Sequence, residues 1–210
     1  MKKLYCYLQK NIQYNKQKAF TLVELLVTIG ILTMVVGIIF ALYWTSQKFY
    51  QLTESQAEML QNSRVVLERM NREIRQAKEI VTALSQSPDN PSSQIEFQDG
   101  HHPSPYDYLN SLYYYIRYYV STTTGEMHRQ YLVYCFDECS QCSNFFKWND
   151  IQIINGNTIT THPCVLEDKI VGEFIKELKI WGANIITIVL QLEKSSRQIE
   201  IQTNVFTRNF

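Results

Sequence analysis

Residues 16–44 read KQKAFTLVELLVTIGILTMVVGIIFALYW. From Leu25 to Trp44 no side chain carries a formal charge. A helix of about twenty residues, at about 1.5 Å rise each, covers about 30 Å, the hydrocarbon thickness of one bilayer. The stretch therefore reads as a membrane-length apolar helix. Glu24 stands just inside its start. An ionisable group in lipid is costly and is retained where it meets a partner or does a job.

Outward from this run, the two flanks differ. Residues 1–19 hold Lys2, Lys3, Lys10, Lys16 and Lys18 and no acid, whereas the other side is mixed, with Lys48, Glu54 and Glu58. The excess of lysine keeps the N-terminus cytoplasmic and sends everything after Trp44 across the membrane. Tyr43 and Trp44 fit an outer aromatic belt. The run is too long for an ordinary secretory signal, and no small-x-small cleavage pattern follows it.

The chain has 210 residues with 20 basic and 20 acidic side chains. Because five of the lysines lie in the leader, the rest carries a net of −5. That balance argues against a general nucleic-acid binder, whose affinity rests on clustered Lys and Arg.

Residues 45–85 contain neither Gly nor Pro, so nothing interrupts a helix. Leu60, Leu67, Met70, Ile74, Ala77, Val81 and Leu84 recur at helical spacing and form one apolar stripe. The pairs Arg64–Glu68, Glu68–Arg72, Arg69–Glu73 and Arg75–Glu79 are spaced to support the outer surface. Together with the apolar run this predicts one helix of roughly 65 residues, about 100 Å long. It is expected to end in SQSPDNPSSQ, residues 85–94, with its two prolines.

The remainder reads as strands. Residues 113–120 (YYYIRYYV), 131–136 and 151–154 are short runs rich in aromatic and β-branched side chains. Near the C-terminus, EFIKELKIW, NIITIVLQLE and RQIEIQTNVFTRN follow one another. Ile186, Ile188, Leu190 and Leu192 alternate with period two, as do Ile199, Ile201 and Val205. Gly182-Ala183 and Lys194-Ser195-Ser196 supply tight connections. The expected fold is α+β: a long N-terminal helix, half transmembrane and half amphipathic, packed on a C-terminal antiparallel sheet. The expected division is a leader at 1–19, a transmembrane or filament-core helix at 20–44, its amphipathic extension at 45–86 and a β-rich extracytoplasmic domain at 87–210.

The sequence AFTLVELLVTIGIL resembles the type IV prepilin signal, a basic leader, a cut, Phe, Thr-Leu-x-Glu and an unbroken apolar helix. The resemblance implies cleavage between Ala19 and Phe20, N-methylation of Phe20, and a role for Glu24 as the acid at the fifth position of the mature chain. The freed α-amino group has an ordinary pKa near 8 and is a cation; in a bundle of subunits a neighbour's carboxylate offsets its burial and sets axial register. Two features depart from the family pattern: Ala19 stands where the family nearly always has Gly, and the leader is long. SRVVLERMNREIRQAKEIV and the ending TNVFTRN are similar to the J-type minor pseudopilins of type II secretion and the W-type minor pilins. These groups belong to a small complex that primes or caps a pilus or pseudopilus. Because Glu24 is kept, the expected place is just beneath the tip. The resemblance further implies prepilin peptidase, an inner-membrane assembly platform, the major pilin or pseudopilin and other minor pilins as partners, with the precursor in the cytoplasmic membrane.

Cys6 falls in the leader. Cys135, Cys139 and Cys142 form C-x3-C-x2-C, a spacing that also ligates iron–sulfur clusters, but that chemistry needs a reducing compartment and a larger domain than this region offers. With Cys164 they read as two disulfides, for which three pairings exist, Cys164 reaching back to one of the three being preferred. The alternative is a structural zinc held by all four thiolates. His101-His102 lies in a polar turn and reads as solvated, and His128 and His162 are isolated in sequence and assigned nothing. In YYYIRYYV, Tyr114, Ile116, Tyr118 and Val120 share one face, while Tyr113, Tyr115, Arg117 and Tyr119 share the other. A strand buried on both faces, with tyrosine hydroxyls at its rim, is the preferred reading; Tyr and Arg together also suit a contact surface for a subunit or ligand, which is the alternative. No catalytic motif emerges. A non-enzymatic protein with no cofactor and no resident metal is expected; a tip-located ligand-binding subunit and an uncleaved, membrane-anchored metal-binding domain are the alternatives.

Overall fold

The computed structural model describes residues 20–101, 104–195 and 197–206. One helix, α1 (Leu22–Gln76, 55 residues), is followed by ten strands and a short 3-10 turn. Their order is β1 (Glu79–Ile80), β2 (Gln94–Gln98), β3 (Tyr115–Ser121), β4 (Glu126–Cys135), β5 (Ile151–Ile154), β6 (Asn157–Thr160), β7 (His162–Gly172), β8 (Ile175–Gly182), β9 (Ile185–Lys194) and β10 (Arg197–Phe206). This is the expected α+β class. The chain divides into two compact units at Gln51/Leu52.

In the first unit α1 begins at a capping box. Thr21 N–H donates to Glu24 Oε2 at 3.0 Å, and Glu24 N–H donates back to Thr21 Oγ1 at 3.3 Å. Two of the N–H groups that a helix leaves orphaned are thereby satisfied reciprocally. Every described residue from Phe20 to Gln51 is exposed. The hydroxyls of Thr28, Thr33 and Thr45 donate to carbonyls of the preceding turn, at Leu25, Gly30 and Ala41. These polar groups thus need no outside partner, as an apolar solvent requires.

In the second unit α1 buries Met59, Ser63, Val66, Leu67, Met70 and Ile74. These follow the helical period, although the expected stripe member Leu60 points outward. Two antiparallel sheets and a hairpin follow, in the orders β1-β2-β3-β4-β7, β10-β9-β8 and β5-β6. An isolated bridge between Ser92 and Ile180 links the two larger sheets. One core joins the helix stripe to Ile95, Phe97, Ile116 and Tyr118 of the first sheet and to Ile180, Ile188, Leu190 and Leu192 of the second. Burial of each such side chain stabilises by about 1.5–3 kcal/mol.

A charged clasp lies within this core. Glu73 of α1 accepts from Arg129 Nε at 3.0 Å and from the Tyr118 hydroxyl at 2.7 Å. Burial works against the Arg129 cation, but the adjoining Glu73 carboxylate more than offsets it, so its pKa is raised. Burial, reinforced by Glu73, pushes the Tyr118 phenol far above its ordinary value.

The helix stops at Gln76, well short of residue 86. Ala77 N–H bonds the Ile74 carbonyl, Lys78 N–H turns to Gln98 O, and Val81 N–H to Glu96 O. The β-branched run Ile80-Val81-Thr82 gains more as an edge of β2 than as another helical turn. Gly100 packs against the helix end so closely that a Cβ there would lie 1.6 Å from the Gln76 carbonyl oxygen. Strands β1, β2, β6 and β7 add to those read from the sequence.

Hairpin β5-β6 differs from the rest. All of its residues are exposed, and its turn uses Asn155 and Gly156 at φ 52° and 78°, the left-handed pair that a two-residue hairpin loop demands.

Candidate functional site

The N-terminal site is built from Phe20, Thr21 and Glu24. Phe20 is 77% exposed. The Glu24 carboxylate faces Thr21, whose hydroxyl and N–H both donate to Oε2 at 3.0 Å. An acid in the first turn also suits the positive end of the helix dipole. Within the single chain Glu24 is thus a helix cap, bonded to neutral donors. Ala19, the expected residue before the cut, lies outside the described residues. Beyond the cap, α1 contains one window long and apolar enough to cross a membrane, and none of that window is buried.

The four downstream cysteines come together in pairs. Cys135 is bridged to Cys142 and Cys139 to Cys164, with Cα separations of 6.1 and 5.4 Å. Cys164 does reach back to the cluster. In this bridged state the thiolates of a four-cysteine zinc site do not exist. The Cys139–Cys164 bridge ties the segment after β4 to β7, the Cys135–Cys142 bridge ties it back to the end of β4, and the sequence that follows straps the outer face of the first sheet. Trp148 N–H donates to the Tyr115 hydroxyl at 3.2 Å, while Trp148 Nε1 and Lys147 Nζ both reach the Glu79 carboxylate at 3.2 Å.

That strap favours the reading of YYYIRYYV as a strand buried on both faces over that of an open contact surface. The division of faces holds: Tyr114, Ile116, Tyr118 and Val120 belong to the main core. On the other face, however, Tyr115 is 0% exposed and forms a second core with Leu132 and Tyr134, packed by Tyr113 and Trp148. Burial raises the Tyr115 phenol to about 12 despite its bond from Trp148. Arg117 is held by Glu96, Nε and Nη2 each at 2.8 Å from Oε2, and Tyr134 donates to the other carboxylate oxygen. An arginine so engaged is a component of the fold. Sequence alternation cannot tell a solvent face from one covered by a distant loop.

Tyr119 remains half-buried, stacked on His128 with ring centroids 5.1 Å apart. His128 Nδ1 lies 2.8 Å from Asp168, which also accepts from Gln130 and Tyr119. Partial burial opposes the Asp168 anion, but the bonds from Gln130 and His128 prevail and lower its pKa. Register brings this group together from β3, β4 and β7, and no sequence signal links its members. His101 lies in a polar turn as expected, its N–H on Asp99 Oδ1 at 2.9 Å; His102 lies outside the described residues. His162, assigned nothing from sequence, sits opposite Cys135 in the β4–β7 ladder and beside Cys139 and Cys164.

Residues 14–40 match the family model of the prokaryotic N-terminal methylation motif. No curated protein and no solved structure matches the chain.

Proposed function

We propose, from the premise that the chain is a type IV pilin-like protein, processed by prepilin peptidase and assembled with other pilins, that it is a minor pilin or pseudopilin. Its work is to prime or cap a type IV pilus or type II secretion pseudopilus from just beneath the tip. One observation carries the reading. Directly behind Phe20, an apolar helix buries none of its membrane-length window within its own chain and has Glu24 as its one charge before Lys48. Such a surface needs lipid before assembly and other helices after it. On assembly Glu24 exchanges its Thr21 donors for a neighbour's terminal amine, a change from neutral to charge-assisted bonding. The membrane-anchored precursor keeps its N-terminus cytoplasmic and its β domain outside. The role is mechanical, with no chemistry assigned to the β domain.

Intact-mass spectrometry of the full-length protein, expressed with and without its prepilin peptidase, tests the premise. Loss of residues 1–19 and gain of one methyl group is the expected result. An unchanged mass, with the peptidase active on a control, means that Ala19 blocks the cut and the chain is a fixed anchor. Quantifying the protein in sheared filaments then tests the minor role: far fewer copies than the principal subunit is expected, and equal abundance overturns it.

A further inference from the structure

We propose that, in its thiol form, the chain holds one zinc-class divalent cation on Cys139, His162 and Cys164, and that the Cys139–Cys164 bridge is the mutually exclusive alternative to that cation. The inference is independent of the filament role.

The convergence is set by strand geometry. His162 and Cys164 are two apart on β7 and therefore project to one face. The segment after β4 carries Cys139 over that face, where its sulfur lies 3.9 Å from the Pro163 carbonyl oxygen. The ligand atoms of Cys139, His162 and Cys164 all lie within 4.8 Å of one another. Zinc bonds to sulfur at about 2.3 Å and to imidazole at about 2.0 Å, which puts the ligand atoms of a tetrahedral site under about 4 Å apart. A small relaxation of the opened pair meets that requirement. Among the described residues no hydrogen bond or ion pair engages the His162 ring, so one imidazole nitrogen is free to ligate.

Burial also suits a site with an entry path. Cys164 is 4% exposed, His162 is half-buried and Cys139 faces solvent. Three protein ligands leave a fourth position for water. Cys135 and Cys142 are not members of the cluster. A cation on the other two thiolates would leave Cys135 and Cys142 as the pair free to oxidise, which selects one pairing out of three. A small-molecule or protein disulfide, as thiol oxidant, then accepts two electrons from the Cys139 and Cys164 thiolates and leaves as two thiols with two protons from water. The Cys139–Cys164 bond that forms removes both thiolates and releases the cation.

The test uses the full chain in detergent, reduced without oxygen by a water-soluble phosphine. Opening each bridge consumes two electrons from the phosphine, which leaves as its oxide with the oxygen of one water, and the two sulfurs take up that water's protons. Cobalt(II), as a spectroscopic probe, and then zinc displace the thiol protons. The expected result is one cobalt per chain with tetrahedral d–d bands and thiolate charge transfer, displaced by one zinc. Cys135→Ala/Cys142→Ala retains that spectrum, and His162→Ala weakens binding by about tenfold or more. Each variant must give the native near-UV signal when oxidised, with His162→Gln replacing His162→Ala if it does not. Full affinity in the His162 variant, or loss of binding in the Cys135/Cys142 variant, overturns the proposal in favour of a four-thiolate site. A spectrum without thiolate charge transfer shows an adventitious ion only and overturns it too. Binding by the fully oxidised chain would overturn the exclusivity of cation and bridge.

Discussion

The two parts of α1 share a backbone but not a solvent. From Phe20 to Gln51 every described residue is exposed and the apolar side chains run all round the helix. From Leu52 to Gln76 one stripe, Met59 through Ile74, is buried and the opposite side is charged. The later part finds its partner within its own chain, where sheet and helix close a core. No described residue of the earlier part is buried, which leaves a membrane-length apolar surface suited to an apolar surrounding. The acids show the same contrast. Glu73 is enclosed with Arg129 and Tyr118, while Glu24 rests on Thr21 and stays available. An internal acid fixes a fold; a capping acid in an unburied helix can change partners.

The largest effect expected from breaking this contrast is at the clasp. Glu73→Ala leaves Arg129 buried without its carboxylate and should cost about 3–5 kcal/mol, read as a lowered denaturation midpoint of the full chain in detergent. A loss below about 1 kcal/mol would mean that the clasp is solvated, as exposed pairs are.

Alkali sharpens the comparison from the sheet side. The phenols of Tyr118, Tyr131 and Tyr134 are all raised, by burial first and then by their bonds to Glu73, Asp99 and Glu96, and Tyr115 is raised to about 12. A raised folded-state pKa means that the unfolded chain ionises first. Stability is therefore complete below pH of about 10 and declines as pH rises through about 10 to 12 and beyond. Phenolate absorbance should increase together with loss of the near-UV signal, and a smooth titration with the fold intact would contradict this burial.

The smallest effect should come from the exposed part of the helix. Ile31→Ala should leave the denaturation midpoint within about 0.5 kcal/mol of the parent, as surface substitutions do. The matching Ile74→Ala should cost about 2–5 kcal/mol. Equal losses at the two positions would erase the distinction between the parts.

Much of the fold was legible because periodicity records which side of an element is buried. The apolar helix, the alternating strands β9 and β10 and their tight connections follow from spacing alone. The Thr21–Glu24 cap went unread, although Thr-x-x-Glu ahead of an apolar run is its sequence signature. The end of α1 was not legible. Residues 77–84 keep a helical spacing of apolar side chains, and only the unpaired edge of β2 makes the extended alternative better. Strand β7 escaped notice because HPCVLEDKIVG mixes charge with Pro and shows no clean alternation; it pairs through its backbone with β4 across two register shifts.

The sequence by itself determined that this protein has a membrane-length apolar helix with an acid at its head, an α+β body and a cluster of cysteines. Those properties rest on local composition and spacing, which any single segment carries. Only the tertiary structure decided that Tyr115 is core, that Arg117 belongs to Glu96, that Cys139 meets Cys164 and that His162 stands beside them. Each of these depends on which distant segment arrives at a given face. That is settled by loop closure and strand register, and neither leaves a periodic mark on the sequence.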